Sequence, residues 1–72
     1  MLVIDSDKLR LIIAENGYTV ASFCRVAGLS QAAMLAWFRG QRVPRLLSIA
    51  KMAKALNMPL KQLTEELAVE EH

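Results

Sequence analysis

The stretch of sequence that decides the fold runs from residue 19 to residue 44 and reads TVASFCRVAGLSQAAMLAWFRGQRVP. Apolar side chains recur in it every three or four residues, which is the spacing of one helix face. They fall into two segments, the first with Val20, Phe23, Cys24 and Ala27, and the second with Met34 and Trp37. Thr19 and Ser30 stand just before these segments, where a hydroxyl can accept a hydrogen bond from a free amide. The stretch therefore predicts two short helices.

The four residues between these helices, Ala27-Gly28-Leu29-Ser30, predict how the helices meet. Glycine adopts a left-handed turn without steric cost, so Gly28 can reverse the chain within very few residues. Leu29 can fill the angle between the helices, and the small side chains of Cys24 and Ala27 allow a close approach. A short turn between two helices at a steep angle is a helix-turn-helix, predicted here over about residues 19–39.

The same spacing continues outside this stretch and predicts three further helices. The first runs from Ser6 to Asn16, the fourth from near Arg45 to Leu56, and the fifth from Pro59 or Leu60. Their predicted inward residues are Leu9, Ile12 and Ile13 in the first helix, Leu46, Ile49, Ala50, Met52, Ala53 and Leu56 in the fourth, and Leu60, Leu63 and Leu67 in the fifth. The predicted fold is all-α, a compact bundle of about five short helices forming a single domain over residues 1–72.

The charges are distributed unevenly, although the formal net charge is only +2. Residues 16–64 contain seven arginines and lysines and no acid, whereas residues 65–72 contain four glutamates. A long block with one sign of charge indicates a polyanionic partner, which makes nucleic acid the first candidate. The acidic segment over residues 60–72 is expected to form the closing helix and tail, away from that partner.

Several classes of protein are excluded by composition. Cys24 and His72 are the single cysteine and histidine, so the sequence holds no metal-binding cluster and no nucleophile paired with a base. We therefore expect no enzyme, no cofactor and no small-molecule substrate. The longest apolar run, residues 32–38, is far shorter than the roughly 20 residues of a membrane span. Asp5 and Asp7 occupy the place of an export signal, which leads to the expectation of a cytoplasmic protein with no membrane contact.

The order of these features resembles the Cro- and XRE-type helix-turn-helix family of phage repressors and bacterial regulators. The resemblance covers about residues 9–63. It is carried by Gly17-Tyr18-Thr19, Phe23-Cys24, Gly28-Leu29-Ser30-Gln31, Met34, Trp37, Arg39-Gly40-Gln41-Arg42-Val43-Pro44 and the fourth helix from Leu46 to Leu56. It implies a lambda-repressor-like DNA-binding domain that regulates transcription as a homodimer on double-stranded operator DNA.

The resemblance also implies roles for individual residues. In this family the third helix lies in the DNA major groove, and its exposed early positions read bases. Those positions are Gln31, Ala32, Ala33 and Ala36. Phosphate contacts are implied for two helix-start hydroxyls and for the loop after the third helix, namely for Thr19, Ser30, Arg39, Gln41, Arg42 and Arg45.

Three departures from the family pattern support an alternative function. Val20 and Phe38 stand where the family usually has glutamine and glutamate, and Gln31 is the only long polar side chain between Ser30 and Phe38. If Leu35 and Phe38 are both exposed, they form an apolar patch, and such patches usually mark protein contacts. The alternative is a modulator with the same fold that binds another regulator protein through Leu35 and Phe38. A homodimer contact is expected from residues 1–4 or from the fifth helix.

Overall fold

The computed structural model describes residues 4–69, and this part of the chain contains five α-helices. Their bounds are α1 Ser6–Glu15, α2 Val20–Ala27, α3 Gln31–Phe38, α4 Leu46–Ala55 and α5 Leu60–Leu67. Each lies within one or two residues of its predicted position. The prediction of an all-α bundle is confirmed. Residues 1–3, which form most of the lead-in expected over residues 1–4, and residues 70–72, which include His72, lie outside the described residues.

Four of the helices end in the same way, which explains why their boundaries are readable from sequence. The residues after α1 to α4 that adopt a left-handed conformation are Gly17, Gly28, Gly40 and Asn57. In each case the following amide donates a hydrogen bond to the carbonyl five residues earlier, as Leu29 does to Cys24 and Gln41 does to Ala36, both at 2.9 Å. This arrangement satisfies carbonyl groups that the helix end leaves unpaired, and it closes the helix sharply.

A single core holds the helices together. α2 packs against α1, α3 and α4, and α5 packs against α1 and α4. The fully or almost fully buried apolar side chains are Leu9, Ile13, Phe23, Cys24, Ala27, Met34, Trp37, Ile49, Met52, Ala53, Leu56, Leu63 and Leu67. Because α2 contributes to the interface with three other helices, its small residues determine how closely the helix-turn-helix can pack.

The two ends of the described chain meet beside α5. The Asp5 amide donates a hydrogen bond to the Leu67 carbonyl at 2.8 Å, and Ile4 pairs with Ala68 in an isolated antiparallel bridge. Leu63 and Leu67 are fully buried by this closure and by α1 and α4. These two leucines belong to the core, so they are not available for the dimer contact that we predicted from the fifth helix.

The prediction was wrong for one core residue, Leu46. It was assigned to the buried face of the fourth helix, but its side chain is 60% exposed. Burial on α4 begins one turn later, at Ile49, and the first turn therefore projects beyond the core. The three-residue spacing from Leu46 to Ile49 is helical, but periodicity alone does not reveal where a helix extends past its packing partners.

This difference predicts opposite outcomes for two substitutions on the same helix. Ile49→Ala should lower the free energy of unfolding by about 2–5 kcal/mol, because it opens a cavity in a fully buried site. Leu46→Ala should change it by less than about 0.5 kcal/mol, because the side chain is mostly exposed. Urea denaturation followed by circular dichroism measures both. An equal decrease in the free energy of unfolding for the two variants would contradict the position of Leu46 outside the core.

Candidate nucleic-acid interface

The turn between α2 and α3 is held by backbone geometry and by one buried side chain. Gly28 has a φ of 74°, in the left-handed region where a side chain would be strained. Leu29 is half-buried and packs against the core. The buried Cys24 thiol donates a weak hydrogen bond to the Ser30 carbonyl, with the sulfur 3.9 Å from the oxygen. These contacts connect the end of α2 to the start of α3.

Thr19 and Ser22 form a reciprocal cap at the start of α2. The Ser22 amide donates to Thr19 Oγ1 at 3.0 Å, and the Thr19 amide donates to Ser22 Oγ at 2.9 Å. The two hydroxyls also lie within hydrogen-bond distance of each other, at 3.0 Å. The predicted capping role of Thr19 is confirmed, and its hydroxyl is already used locally. Its phosphate contact stays a prediction.

Ser30 caps α3 in a simpler way. Its Oγ accepts a hydrogen bond from the Ala33 amide at 3.1 Å, which satisfies one of the unpaired amides at the helix start. The side chain is exposed, and the hydroxyl can still donate its own proton outward. Ser30 therefore combines a confirmed cap with an exposed donor at the positive end of a helix.

The exposed face of α3 is a stripe formed by Gln31, Ala32, Leu35 and Arg39, the last of which caps the helix end. We call it the α3 stripe. The opposite face is buried through Met34 and Trp37. Of the four predicted base-reading positions, Gln31 and Ala32 lie on the stripe, while Ala33 and Ala36 are half-buried at its margins.

Leu35 is a member of the stripe that the sequence interpretation had assigned only to a protein contact. It lies four residues after Gln31 and four before Arg39, which is the spacing of neighbours on one helix face. Its side chain is 39% exposed. The four-residue spacing is visible in the sequence, but Leu35 was assigned to the protein contact of the alternative function because its side chain is apolar.

The loop after α3 presents the predicted cationic residues to solvent. Gly40 has a φ of 72°, and the loop is closed by hydrogen bonds from the Gly40 and Gln41 amides back to α3. Pro44 is buried and anchors the loop to the domain. The exposed polar and basic side chains of this arginine loop are Arg39, Gln41, Arg42 and Arg45.

Phe38, the second residue of the predicted apolar patch, is half-buried and lies at a cleft between α1, α2 and α3. The Arg10 guanidinium lies over its ring, 4.5 Å from the ring centroid, as in a cation–π contact. The cleft has a volume of about 380 Å³ and is lined by Arg10, Ile13, Ala14, Tyr18, Val20, Leu35 and Phe38. The two departures from the family pattern, Val20 and Phe38, thus lie in the same cleft.

The sequence contains one thiol, that of Cys24. Cys24 is buried, and that burial raises the pKa of its thiol, so the reactive thiolate form is disfavoured. Between residues 4 and 69 no group of three or more histidine, cysteine, aspartate or glutamate side chains is arranged to hold a metal ion. None of the five helices is long and apolar enough to cross a membrane.

Known proteins share this arrangement. A sequence model described as Helix-turn-helix matches residues 8–63. Among solved structures, the crystal structure of the restriction-modification controller protein C.AhdI from Aeromonas hydrophila is similar, with a TM-score of 0.74 and 29% sequence identity. The match covers 86% of this chain and 94% of that chain. No curated protein matches the sequence.

The Ser30 cap can be tested separately from any ligand. Ser30→Ala should lower the free energy of unfolding by about 1 kcal/mol, because the Ala33 amide loses its acceptor. Ser30→Asp should retain wild-type stability, because a carboxylate also caps a helix start and suits its positive dipole. Thermal unfolding of the two variants provides the measurement. An aspartate variant as unstable as the alanine variant would argue against the cap.

Proposed function

The chain belongs to the Cro- and XRE-type helix-turn-helix family of DNA-binding transcription regulators, and we propose that it regulates transcription by inserting α3 into the DNA major groove. The observation that carries this proposal is the α3 stripe, an exposed helix face that continues directly into an arginine loop with no acid in the surrounding 49 residues. This combination suits a duplex, whose grooves accept a helix and whose phosphates attract cations.

The stripe suits the reading of a site rich in A·T pairs. Gln31 at the start of α3 can form two hydrogen bonds with an adenine, and the methyl groups of Ala32 and Leu35 can contact thymine methyls. We expect direct readout to be limited, because only one long polar side chain precedes Arg39 on the stripe. DNA shape and phosphate contacts would then supply much of the affinity.

The phosphate contacts are proposed for the arginine loop and for the helix starts beside it. Arg39, Arg42 and Arg45 are exposed, and Gln41 lies between them. α4 begins at Leu46, and Arg45 before it provides no side-chain cap, which leaves amides at the positive end of the helix free to meet a phosphate. The Ser30 hydroxyl offers a further donor at the start of α3, whereas the Thr19 hydroxyl would have to release Ser22 before it could donate to a phosphate.

The proposed DNA-bound form is a homodimer on two half-sites about one helical turn apart. Two-fold symmetric proteins of this family bind operators whose half-sites are about 34–36 Å apart. Because half-sites one turn apart face the same side of the helix, two copies would lie on one face of the duplex, with both arginine loops towards the DNA.

The arginine loop makes a quantitative prediction about salt. A duplex selected from a random library should bind wild-type protein with an affinity that falls steeply as salt rises. The double variant Arg39→Gln/Arg42→Gln removes two proposed phosphate contacts per copy. Its slope of log affinity against log salt should be less steep by about two per bound copy, because each contact contributes roughly 0.9. Fluorescence anisotropy at several salt concentrations provides the measurement.

The matched control is Lys8→Gln/Lys61→Gln, which removes the same charge from α1 and α5. Lys8 lines a different cleft, shared with Glu15 and Glu66, and α5 does not pack against α3. This control should retain a nearly wild-type slope. If both double variants reduce the salt slope equally, the slope responds to net charge only and not to contacts from the arginine loop. If no duplex binds even at low salt, the proposed function is contradicted.

A second candidate function is supported by the cleft beside Phe38. Its apolar lining from three helices, with Arg10 at one side, suits an acidic and apolar surface of another regulator protein. In that case the chain would act as a modulator that binds its partner protein through Leu35 and Phe38. Leu35 belongs to both the cleft and the α3 stripe, so a bound partner would compete with DNA.

Val20→Gln separates the two candidates, because it introduces into the cleft the glutamine that the family usually has there. If DNA is the ligand, the variant should bind the selected duplex at least as tightly as wild type. If the cleft holds a protein partner, a buried amide should weaken that complex by about tenfold or more. Cross-linking to partners in the native host tests the complex, and Ala21→Gln, an exposed neighbour on α2, is the matched control.

A further inference from the structure

The cleft beside Phe38 combines a cation with an apolar lining. It lies between α1, α2 and α3, and its volume of about 380 Å³ falls within the range of small-molecule sites, about 300–1,000 Å³. We call it the Phe38 cleft. Five of its seven lining residues have purely apolar side chains, and only Arg10 and Tyr18 carry a polar group. The cleft therefore suits a ligand that is mostly apolar and has one polar end.

The two polar groups of the lining favour an anion at that end. The Arg10 guanidinium only donates hydrogen bonds, and the Tyr18 hydroxyl can also donate one. Among the described residues no carboxylate lines the cleft, and Asp7, three residues before Arg10 on α1, is exposed and outside the lining. The guanidinium lies 4.5 Å from the centroid of the Phe38 ring, so it rests on an aromatic face. A planar guanidinium matches a carboxylate in particular, because two parallel hydrogen bonds can form.

The aromatic side chains of the lining favour a flat apolar group in the ligand. Tyr18 and Phe38 are both half-buried. Tyr18 also packs against the buried Phe23, with the two ring centroids 5.5 Å apart, which restrains its orientation. An aromatic ligand can form offset or edge-to-face contacts with such rings. Together with Arg10, these side chains point to a small aromatic carboxylate.

Two other clefts of the domain lack this combination. The cleft that Lys8 lines between α1 and α5 also contains Glu15 and Glu66, which would repel an anion. The cleft between α2 and α4 has two exposed lysines, Lys51 and Lys54, but no aromatic side chain in its lining. An aromatic carboxylate should therefore bind the Phe38 cleft in preference to these two.

Leu35 connects the Phe38 cleft to the surface proposed to read DNA. It lines the cleft and also belongs to the α3 stripe, four residues after Gln31. Val20 lines the cleft too and directly follows Thr19, a proposed phosphate contact. A bound carboxylate would cover part of Leu35 and neutralise Arg10 in a domain that attracts DNA by its positive charge. Ligand and DNA should therefore oppose each other, and by linkage each lowers the affinity for the other by the same factor.

We propose that the Phe38 cleft binds a small aromatic carboxylate and that this ligand weakens the binding of DNA. The carboxylate pairs with Arg10, and the ring system lies against Phe38 and Tyr18. The effect on DNA rests on the proposed function, whereas the binding of the ligand does not. We favour a small molecule over a protein as the occupant, because a protein interface usually involves about 20–30 residues a side and this cleft has far fewer.

Nuclear magnetic resonance titration without DNA tests the site, with naphthalene-2-carboxylate as the probe. We expect saturable amide shifts at the lining residues and a dissociation constant of about 1 mM or tighter, as for a ligand of about 13 non-hydrogen atoms. The cationic analogue 2-naphthylmethylamine should bind about fivefold more weakly. Failure of the carboxylate to bind, equal binding of the two probes, or shifts mainly around Lys51 and Lys54 would overturn the proposal.

Reversing the charge of Arg10 separates an ion pair from an indirect effect on folding. Arg10→Glu should reverse the preference, so that the amine binds about fivefold more tightly than the carboxylate. The matched control Lys8→Glu makes the same change of charge on α1 but in a different cleft, and it should retain the wild-type preference. The same preference in both variants would overturn the pairing of the carboxylate with Arg10.

The second arm measures how the probe changes DNA binding, with sodium acetate at the same concentration as the control for ionic strength. At about ten times its dissociation constant, naphthalene-2-carboxylate should weaken the binding of a selected duplex to wild-type protein about fivefold or more. It should have much less effect on Arg10→Glu. An unchanged duplex affinity with the cleft occupied would overturn the regulatory effect. If no duplex binds, the proposed function fails, and the titration without DNA still decides whether the cleft binds the carboxylate.

Discussion

The close packing of α2 against α3 across the turn at Gly28 is the constraint on which the rest of this structure depends. The turn requires a left-handed residue at its centre, a small buried side chain at Cys24 and a half-buried Leu29 in the angle. Burying Met34 and Trp37 then fixes the rotation of α3 about its axis, because one face must meet the core. The α3 stripe is exposed as a consequence of that rotation. The orientation of the surface proposed to read DNA is thus determined by core residues that do not belong to that surface.

The stripe has an unusual composition for a DNA-reading surface. Gln31 and Arg39 are polar, but Ala32 and Leu35 between them are apolar. The adjoining cleft extends this apolar character to α1 and α2, and two of its lining residues, Val20 on α2 and Phe38 on α3, stand where the family usually has polar side chains. Methyl groups suit thymine, whereas a continuous apolar surface suits a protein. The acid-free block over residues 16–64 and the exposed arginine loop favour DNA as the ligand. For this reason we rank binding to another regulator protein below binding to DNA.

Much of the fold was predictable from sequence because its local signals agree with its packing. Hydroxyl and carboxylate caps start three helices, and glycine or asparagine ends four of them, so the boundaries needed no tertiary information. Leu46 was misplaced because its spacing fits a buried face, while the exposure of the first turn of α4 depends on where neighbouring helices stop. The same limit applied to the dimer contact expected from the fifth helix, because packing against α1 and α4 buries Leu63 and Leu67 completely.

The site was predictable to a smaller extent. The sequence located α3 and the arginine loop, but it could not decide which of Ala33, Leu35 and Ala36 faces outward, because α3 is apolar on nearly every side. The most direct test of the central claim is nuclear magnetic resonance of labelled protein titrated with a duplex selected from a random library. The account predicts the largest amide shifts at Gln31, Leu35, Arg39 and Arg42, with little change on α5. Shifts confined to α5, or none at saturating duplex, would contradict it.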